Sequence, residues 1–176
     1  PPGEYAYGSD IRYKPPHEPL EAYLKVANRL GFARYVFVQP SAYGSNNDCM
    51  LDAMRALDPA VRRGIIDLDE RRTNDNELAA FNALGVRGIR VNVSPVRKPE
   101  AGLADSMKPR IVRLAKLCRE IGWHLDFLTP GWLVRELLPD LHARPIHFSV
   151  AHLGLFPADG GPEQPGFQEF LELLRG

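Results

Sequence analysis

Five short apolar segments rich in β-branched and aromatic residues alternate with helical segments along the chain. This alternation limits the possible fold more than any other feature. The segments begin near residues 35, 64, 87, 123 and 146, and helical spacing of apolar residues fills the stretches between them. Such alternation is typical of an α/β protein with a parallel sheet. The mean spacing of the segments is close to that of a (β/α)8 barrel.

Apolar spacing and capping residues predict the bounds of the individual strands and helices. The predicted strands are 35–38, 64–67, 88–93, 123–128 and 146–150. The predicted helices are 20–30, 49–57, 74–84, 103–121, 130–138 and 165–174. Asn74, with Glu77 three residues later, predicts a capping box, and Gly85 predicts the end of that helix. Thr129 followed by Pro130 predicts an N-cap with Pro at the first helical position. The strand 35–38 is uniformly apolar, so we expect it to be buried on both faces.

The number of strand–helix units is smaller than in a complete barrel, which takes about 250 residues and eight units. The chain has 176 residues, and residues 1–19 form a proline-rich, irregular lead-in without an initiator Met. A half-open parallel sheet would also leave unpaired edges. Two interpretations follow: one domain, residues 1–176, that is part of a longer barrel with about five βα units, or a complete doubly wound sheet.

The net charge limits the classes of partner, and the cysteine content indicates the cellular compartment. Lys plus Arg and Asp plus Glu are both 22, so the net charge is zero, and we expect neither a nucleic-acid nor a membrane partner. No apolar run reaches the ~20 residues that a membrane helix needs. The two cysteines lack CxxC spacing, which favours reduced thiols and a cytoplasmic protein, with Cys118 as a buried free thiol.

Ligands of parallel α/β proteins bind beyond the carboxyl ends of the strands, so candidate residues are sought there. Arg90 stands in a strand that is otherwise Ile, Val and Gly, and its planar fork suits a carboxylate. An inner salt bridge of Arg90 with Asp67 or Asp126 is the alternative. Asn92 and Arg97 are further candidates for substrate binding, although Asn92 could instead satisfy loop backbone groups.

His152 directly follows the last apolar strand and precedes Gly154, where backbone can approach a ligand. An imidazole there can polarise a carbonyl or take a proton near neutral pH. Ser41 and Tyr43 offer hydroxyl groups after the first strand, or they belong to a simple turn with Gly44. The five histidines form no close HxH or HExxH pair, so no metal ligands are predicted.

Several segments are together recognisable as those of a known family. They are 13–16 (YKPP), 38–47 (VQPSAYGSNN), 85–92 (GVRGIRVN), 122–125 (GWHL), 152–154 (HLG) and 164–167 (QPGF). In this order they resemble the amidohydrolase-related superfamily, in its branch of dicarboxylate and sugar lactonases. The resemblance implies a partial barrel of strands two to six. It also implies a first strand with a His-x-His pair before Pro1 and a last strand with an acidic base beyond Gly176.

The resemblance further implies a hydrolase that opens the lactone of a small dicarboxylate or sugar acid without a metal or other cofactor. Arg90 would bind a substrate carboxylate, and His152 would be the catalytic group that polarises the lactone carbonyl. The remaining substrate-binding residues would be Ser41, Tyr43, Asn92, Arg97 and Tyr13. Ala151 departs from the Asp that is common before the family's histidine.

Two other functions stay open at this stage. One is a metal-dependent amidohydrolase or decarboxylase on the same barrel, with a divalent ion such as zinc. The other is a non-catalytic α/β binding module that is complete in this chain. The partner in the favoured interpretation is a small carboxylated lactone.

Overall fold

The computed structural model describes residues 4–9, 11, 13–93 and 100–175. Its strands are β1 (Tyr35–Val38), β2 (Arg62–Ile66), β3 (Val86–Asn92), β4 (His124–Leu128) and β5 (Phe148–Val150). Its α-helices are α1 (Leu20–Arg29), α2 (Asp48–Arg55), α3 (Asp75–Leu84), α4 (Leu103–Ile121), α5 (Gly131–His142) and α6 (Pro165–Arg175).

The strands form one five-stranded sheet in the sequential order β1-β2-β3-β4-β5. The pairs β1–β2 and β4–β5 are parallel, and a helix lies between each strand and the next in the chain. A doubly wound sheet reverses its strand order at a switch point, whereas successive βα units of a barrel keep the order sequential. The predicted α/β class and the barrel-like strand order are therefore confirmed.

The chain divides into two compact units, Pro1–Gly88 and Ile89–Gly176, which we call the N-terminal and C-terminal units. The N-terminal unit buries Met50, Leu51 and Met54 of α2 together with Ile65 and Ile66 of β2. In the C-terminal unit, the buried apolar residues of strand β4 and the helices α4 and α5 form the core. These include Ile111, Leu114, Leu125, Phe127, Leu133, Leu137, Leu138 and Leu141.

The predicted capping box of α3 is present. Asn74 accepts a hydrogen bond from the Glu77 backbone, and the Glu77 side chain accepts one from the Asn74 backbone. Gly85 ends the helix at φ 105°, a left-handed conformation that glycine adopts without a Cβ clash.

Three local predictions were wrong. Strand β1 is not buried on both faces, because Val36 is 61% exposed on the side opposite the ring contacts of Tyr35 and Phe37 with α1. Pro130, rather than Thr129, is the N-cap of α5, and no side-chain cap bond forms. Helix α5 also continues through Pro139, because its apolar stripe extends to the buried Leu141.

Within the described ranges, no helix combines the length and the apolar character that crossing a membrane requires. Cys118 is a fully buried free thiol, as predicted, and burial raises its pKa to about 12.

Candidate active site

A polar network crosses three strands of the C-terminal unit. Arg90 of β3 donates from Nε to Oδ2 of Asp126 at 2.9 Å, and its Nη2 lies 2.9 Å from the same oxygen. Ser149 of β5 donates from Oγ to the other carboxylate oxygen, Oδ1 of Asp126, at 2.8 Å. Asp126 is only 6% exposed, so this ion pair lies within the protein and not on its surface. The alternative contact predicted for Arg90, a salt bridge with Asp126, is thus observed.

The network lies on one particular face of the sheet. Asp126 and Ser149 are directly paired residues of the parallel strands β4 and β5, so their side chains share a face. Phe127 and Phe148 point to the other face, where their rings meet at 6.2 Å and Phe148 contacts His142 of α5. Arg90 therefore reaches Asp126 on the face that turns away from α5, and not in the helix layer.

His152 lies two residues beyond the end of β5, in a backbone segment of unusual conformation. His152, Leu153, Gly154 and Leu155 have φ values of 52°, 51°, 74° and 56°, so four successive residues are left-handed. For residues other than glycine this conformation costs roughly 1–2 kcal/mol each. Strained backbone of this kind is concentrated at functional sites, where the surrounding structure must hold it in place.

Close packing holds this left-handed segment against the rest of its unit. It lies against β4 and α5. A Cβ on Gly154 would stand 3.1 Å from Cα of Gly131, the first residue of α5, and a Cβ on Gly131 would stand 2.0 Å from the ring of Phe156. Neither glycine can be enlarged without moving this segment. The imidazole of His152 remains exposed at the carboxyl end of β5, where a ligand can reach it.

Thr129 follows β4 at the same carboxyl end of the strands. It is fully buried, and its hydroxyl oxygen has no hydrogen-bond partner among the residues that the structure describes. Sequence reasoning assigned this hydroxyl to a helix cap and therefore gave it no place in a site.

The loop after β1, in the N-terminal unit, is fixed by two buried amide side chains. Gln39 donates from Nε2 to the carbonyl oxygens of Gly44 and Asn46, both at 2.8 Å. Asn47 donates to the carbonyl oxygen of Asp67 at 2.9 Å and accepts from the Asp67 backbone N–H. The amides thus join the ends of β1 and β2, and this structural role is one that the sequence analysis did not assign.

Ser41 and Tyr43 form a single 3₁₀ turn within this loop, closed by Gly44, as the alternative interpretation expected. The Tyr43 ring stacks on Tyr7 with ring centroids 5.2 Å apart, and burial is the main cause that raises the Tyr43 pKa. Both hydroxyl-bearing side chains are half-buried. The turn therefore presents them in a fixed backbone frame.

A cavity of about 590 Å³ lies beside Tyr43 in the N-terminal unit. Its lining includes four acidic residues, Glu4, Glu18, Glu21 and Asp52, and no Lys or Arg among the described residues. A carboxylated ligand would meet like charge there. The Arg90 network of the C-terminal unit is a better place for an anionic group, because it contains a guanidinium.

The other candidate residues are placed as follows. Asn92 ends β3 and is half-buried, on the same face of that strand as Arg90, two residues earlier. Tyr13 belongs to the lead-in and is 50% exposed. Arg97 lies outside the described residues. Ser41, Tyr43 and Tyr13 belong to the N-terminal unit, whereas Arg90, Asn92 and His152 belong to the C-terminal unit. Their convergence on one substrate remains a prediction.

Over 4–93 and 100–175, apart from residues 10 and 12, no three His, Cys, Asp or Glu side chains are grouped closely enough to hold an ion. The predicted absence of a cofactor stays a prediction.

The sequential strand order with a helix between successive strands defines the class of the fold, that of a (β/α)8-type α/β protein. The complete chain, residues 1–176, matches the family model Amidohydro_2, described as amidohydrolase. The chain therefore belongs to this amidohydrolase family, and the predicted family is confirmed.

Individual relatives agree with this assignment. The chain is 33% identical over 173 residues to a 4-sulfomuconolactone hydrolase of Rhizobium radiobacter, covering 98% of the chain and 56% of that protein. It is 28% identical over 176 residues to a 2-pyrone-4,6-dicarboxylate hydrolase of Comamonas testosteroni, covering 99% and 55%. The chain thus spans about half the length of the curated relatives it matches.

A solved structure supports the fold class. The chain is similar to a probable 2-pyrone-4,6-dicarboxylic acid hydrolase of Acinetobacter baumannii, solved with citric acid bound, at a TM-score of 0.78 and 27% identity. The match covers 95% of this chain and 60% of that one. Together with the strand order, it confirms the predicted fold class, a partial (β/α)8 barrel.

Proposed function

We propose that the protein hydrolyses the lactone of a small carboxylated acid. The observation that carries the proposal is a largely buried guanidinium, Arg90, fixed on the sheet face that turns away from α5. It occurs in a member of a family whose relatives include lactone hydrolases. The relatives named above act on a pyrone dicarboxylate and a sulfomuconolactone, both anionic, and a buried cation suits an anionic substrate.

In the proposed reaction, water adds to the lactone carbonyl carbon and the ring C–O bond breaks. The products are a carboxylic acid and the ring-opened enol or alcohol, which takes the second proton. Arg90 binds a substrate carboxylate through charge-assisted hydrogen bonds, and Asn92, Arg97, Ser41, Tyr43 and Tyr13 orient the rest of the substrate. His152 donates a hydrogen bond to the carbonyl oxygen, and this bond strengthens as that oxygen becomes anionic.

The water must lose a proton to a general base. The family resemblance assigns this role to a carboxylate on a later strand of the barrel.

Two further parts of the proposal concern the protein as a whole: the reaction needs no metal, and the protein is cytoplasmic. Two free cysteines are compatible with a reducing compartment.

Paired substrates test the proposal on the full-length protein. The rate of ring opening of 2-pyrone-4,6-dicarboxylate is measured against that of unsubstituted 2-pyrone, which has the same ring and no carboxylate. We expect a preference for the dicarboxylate of at least about 10-fold in kcat/KM, the size of one charge-assisted contact. Equal rates, or hydrolysis of neither lactone by the native protein, would contradict the proposal.

Metal dependence is tested on the same preparation. After dialysis against EDTA we expect unchanged hydrolysis of the dicarboxylate. Activity that falls on chelation and returns with Zn²⁺ would favour the metal-dependent alternative instead.

A further inference from the structure

The Arg90 network places charged side chains on a sheet face where apolar side chains of similar volume could also pack. Three neighbouring strands place Arg90, Asp126 and Ser149 side by side, and the Arg90–Asp126 pair is largely buried, with side-chain exposures of 12% and 8%. A buried ion pair gives little or no net stability over apolar residues of similar volume, because both charges lose their hydration. Such a pair can instead hold one of its members in a fixed orientation.

The contacts have the geometry of an orienting device. Nε and Nη2 of Arg90 both address Oδ2 of Asp126, which fixes the plane of the guanidinium. The Ser149 hydroxyl binds Oδ1, the other oxygen, which fixes the rotation of the carboxylate about its own bond. Among the described contacts, two hydrogen bonds link Ser149 to Arg90 through Asp126.

We infer that Asp126 and Ser149 are positioning residues that hold Arg90 in the orientation needed to recognise a substrate carboxylate. This inference rests on the proposed function, because it assigns the network to carboxylate selectivity and not to the opening of the lactone itself. A guanidinium held in one plane loses less freedom on binding a planar carboxylate than a mobile one does. The network should therefore act on the affinity for carboxylated ligands and leave the chemical step unchanged.

The most informative variant is Ser149→Ala, because it removes the hydroxyl at the end of the network opposite Arg90 and leaves both charges in place. With 2-pyrone-4,6-dicarboxylate we expect KM to rise about 3- to 10-fold, the effect of one lost hydrogen bond, with kcat within about twofold of the native value. KM for unsubstituted 2-pyrone should not change. Ser149→Thr keeps the hydroxyl on a residue suited to strands and should restore the native KM.

Asp126→Asn tests the second member of the network. It keeps an acceptor oxygen but removes the charge, and we expect a larger rise of KM for the dicarboxylate than Ser149→Ala produces. The matched controls are Ser106→Ala and Asp105→Asn in the first turn of α4. The Ser106 hydroxyl donates to the carbonyl oxygen of Leu103, and the Asp105 side chain is 78% exposed. These controls should leave KM for both lactones unchanged.

A binding measurement separates this inference from the proposed function. Pyridine-2,4-dicarboxylate is a stable ring with two carboxylates, and its Kd is measured by calorimetry for the native protein and each variant. Weaker binding in Ser149→Ala, restored in Ser149→Thr, would support the inference even if neither lactone were hydrolysed. The inference is overturned if the native protein does not bind this probe. It is equally overturned if Ser149→Ala changes only the melting temperature, or shifts KM for both lactones alike.

Discussion

Replacing Arg90 with Lys keeps the positive charge but removes the planar arrangement of donors. In the native protein, Nε and Nη2 both address one oxygen of Asp126, and the guanidinium is held in a fixed plane. An ammonium group is a compact point charge on a flexible stem, so it can pair with Asp126 or with a substrate carboxylate but cannot offer two parallel donors. The variant therefore separates the effect of charge from the effect of geometry.

The size of the effect follows from the contacts that are lost. One hydrogen bond to a charged group contributes about 1.5–3 kcal/mol, and since each 1.36 kcal/mol is tenfold in rate, kcat/KM for a carboxylated lactone should fall roughly 10- to 150-fold. Asp126 keeps a cationic neighbour in this variant, so it is not left as an unpaired buried charge. The fold should therefore survive, which a thermal melt of the variant would verify.

The assay compares kcat/KM for 2-pyrone-4,6-dicarboxylate and 2-pyrone in the native protein, in Arg90→Lys and in the control Arg119→Lys, an exposed arginine of α4. We expect Arg90→Lys to lose most of the preference for the dicarboxylate and Arg119→Lys to keep it. An equal loss on both lactones would mean that Arg90 only supports the fold. The dicarboxylate assignment would then be withdrawn.

Three further predictions concern the exposed histidine, the left-handed segment and the buried thiol. His152→Ala should lower kcat for every lactone by about 100-fold or more while changing KM little, because the hydrogen bond that His152 donates is strongest in the transition state. A change confined to KM would contradict this role. Leu153→Asn should raise the free energy of unfolding in urea by about 0.5–1 kcal/mol, since Asn tolerates the left-handed conformation in which the exposed leucine is held. A free energy of unfolding below that of the native protein would count against the left-handed backbone of this segment. Because burial raises the Cys118 pKa to about 12, a thiol reagent at pH 8 should label Cys49 in the folded protein and Cys118 only after unfolding. Rapid labelling of both thiols in the folded protein would contradict the burial of Cys118.

Elements with their own local signals could be predicted well from the sequence. Helix α4 has the predicted bounds, Leu103–Ile121, because its apolar spacing is long and a glycine ends it at each side. The capping box of Asn74 and Glu77 was predicted because its two hydrogen bonds depend only on residues three positions apart. The end of α5 was missed because Pro139 signals a stop, whereas tertiary packing of Leu141 outweighs that local signal.

The site was only partly predictable. Arg90 and His152 could be selected as candidates because each is a polar residue at or near the end of an apolar strand, and their roles stay predictions. Ser149 was missed, since one sequence does not give the register that pairs it with Asp126 on the next strand. The left-handed segment was missed as well, because Leu153 and Leu155 are not residues that signal a positive φ.

A crystal structure of the full-length protein with pyridine-2,4-dicarboxylate tests the central claim most directly. The account predicts one carboxylate of the ligand about 2.7–2.9 Å from the Arg90 guanidinium, the distance of a charge-assisted hydrogen bond, with the Asp126 and Ser149 contacts retained. It also predicts the ligand ring beside the imidazole of His152. A ligand bound elsewhere, with no carboxylate oxygen in hydrogen-bond distance of Arg90, would contradict it.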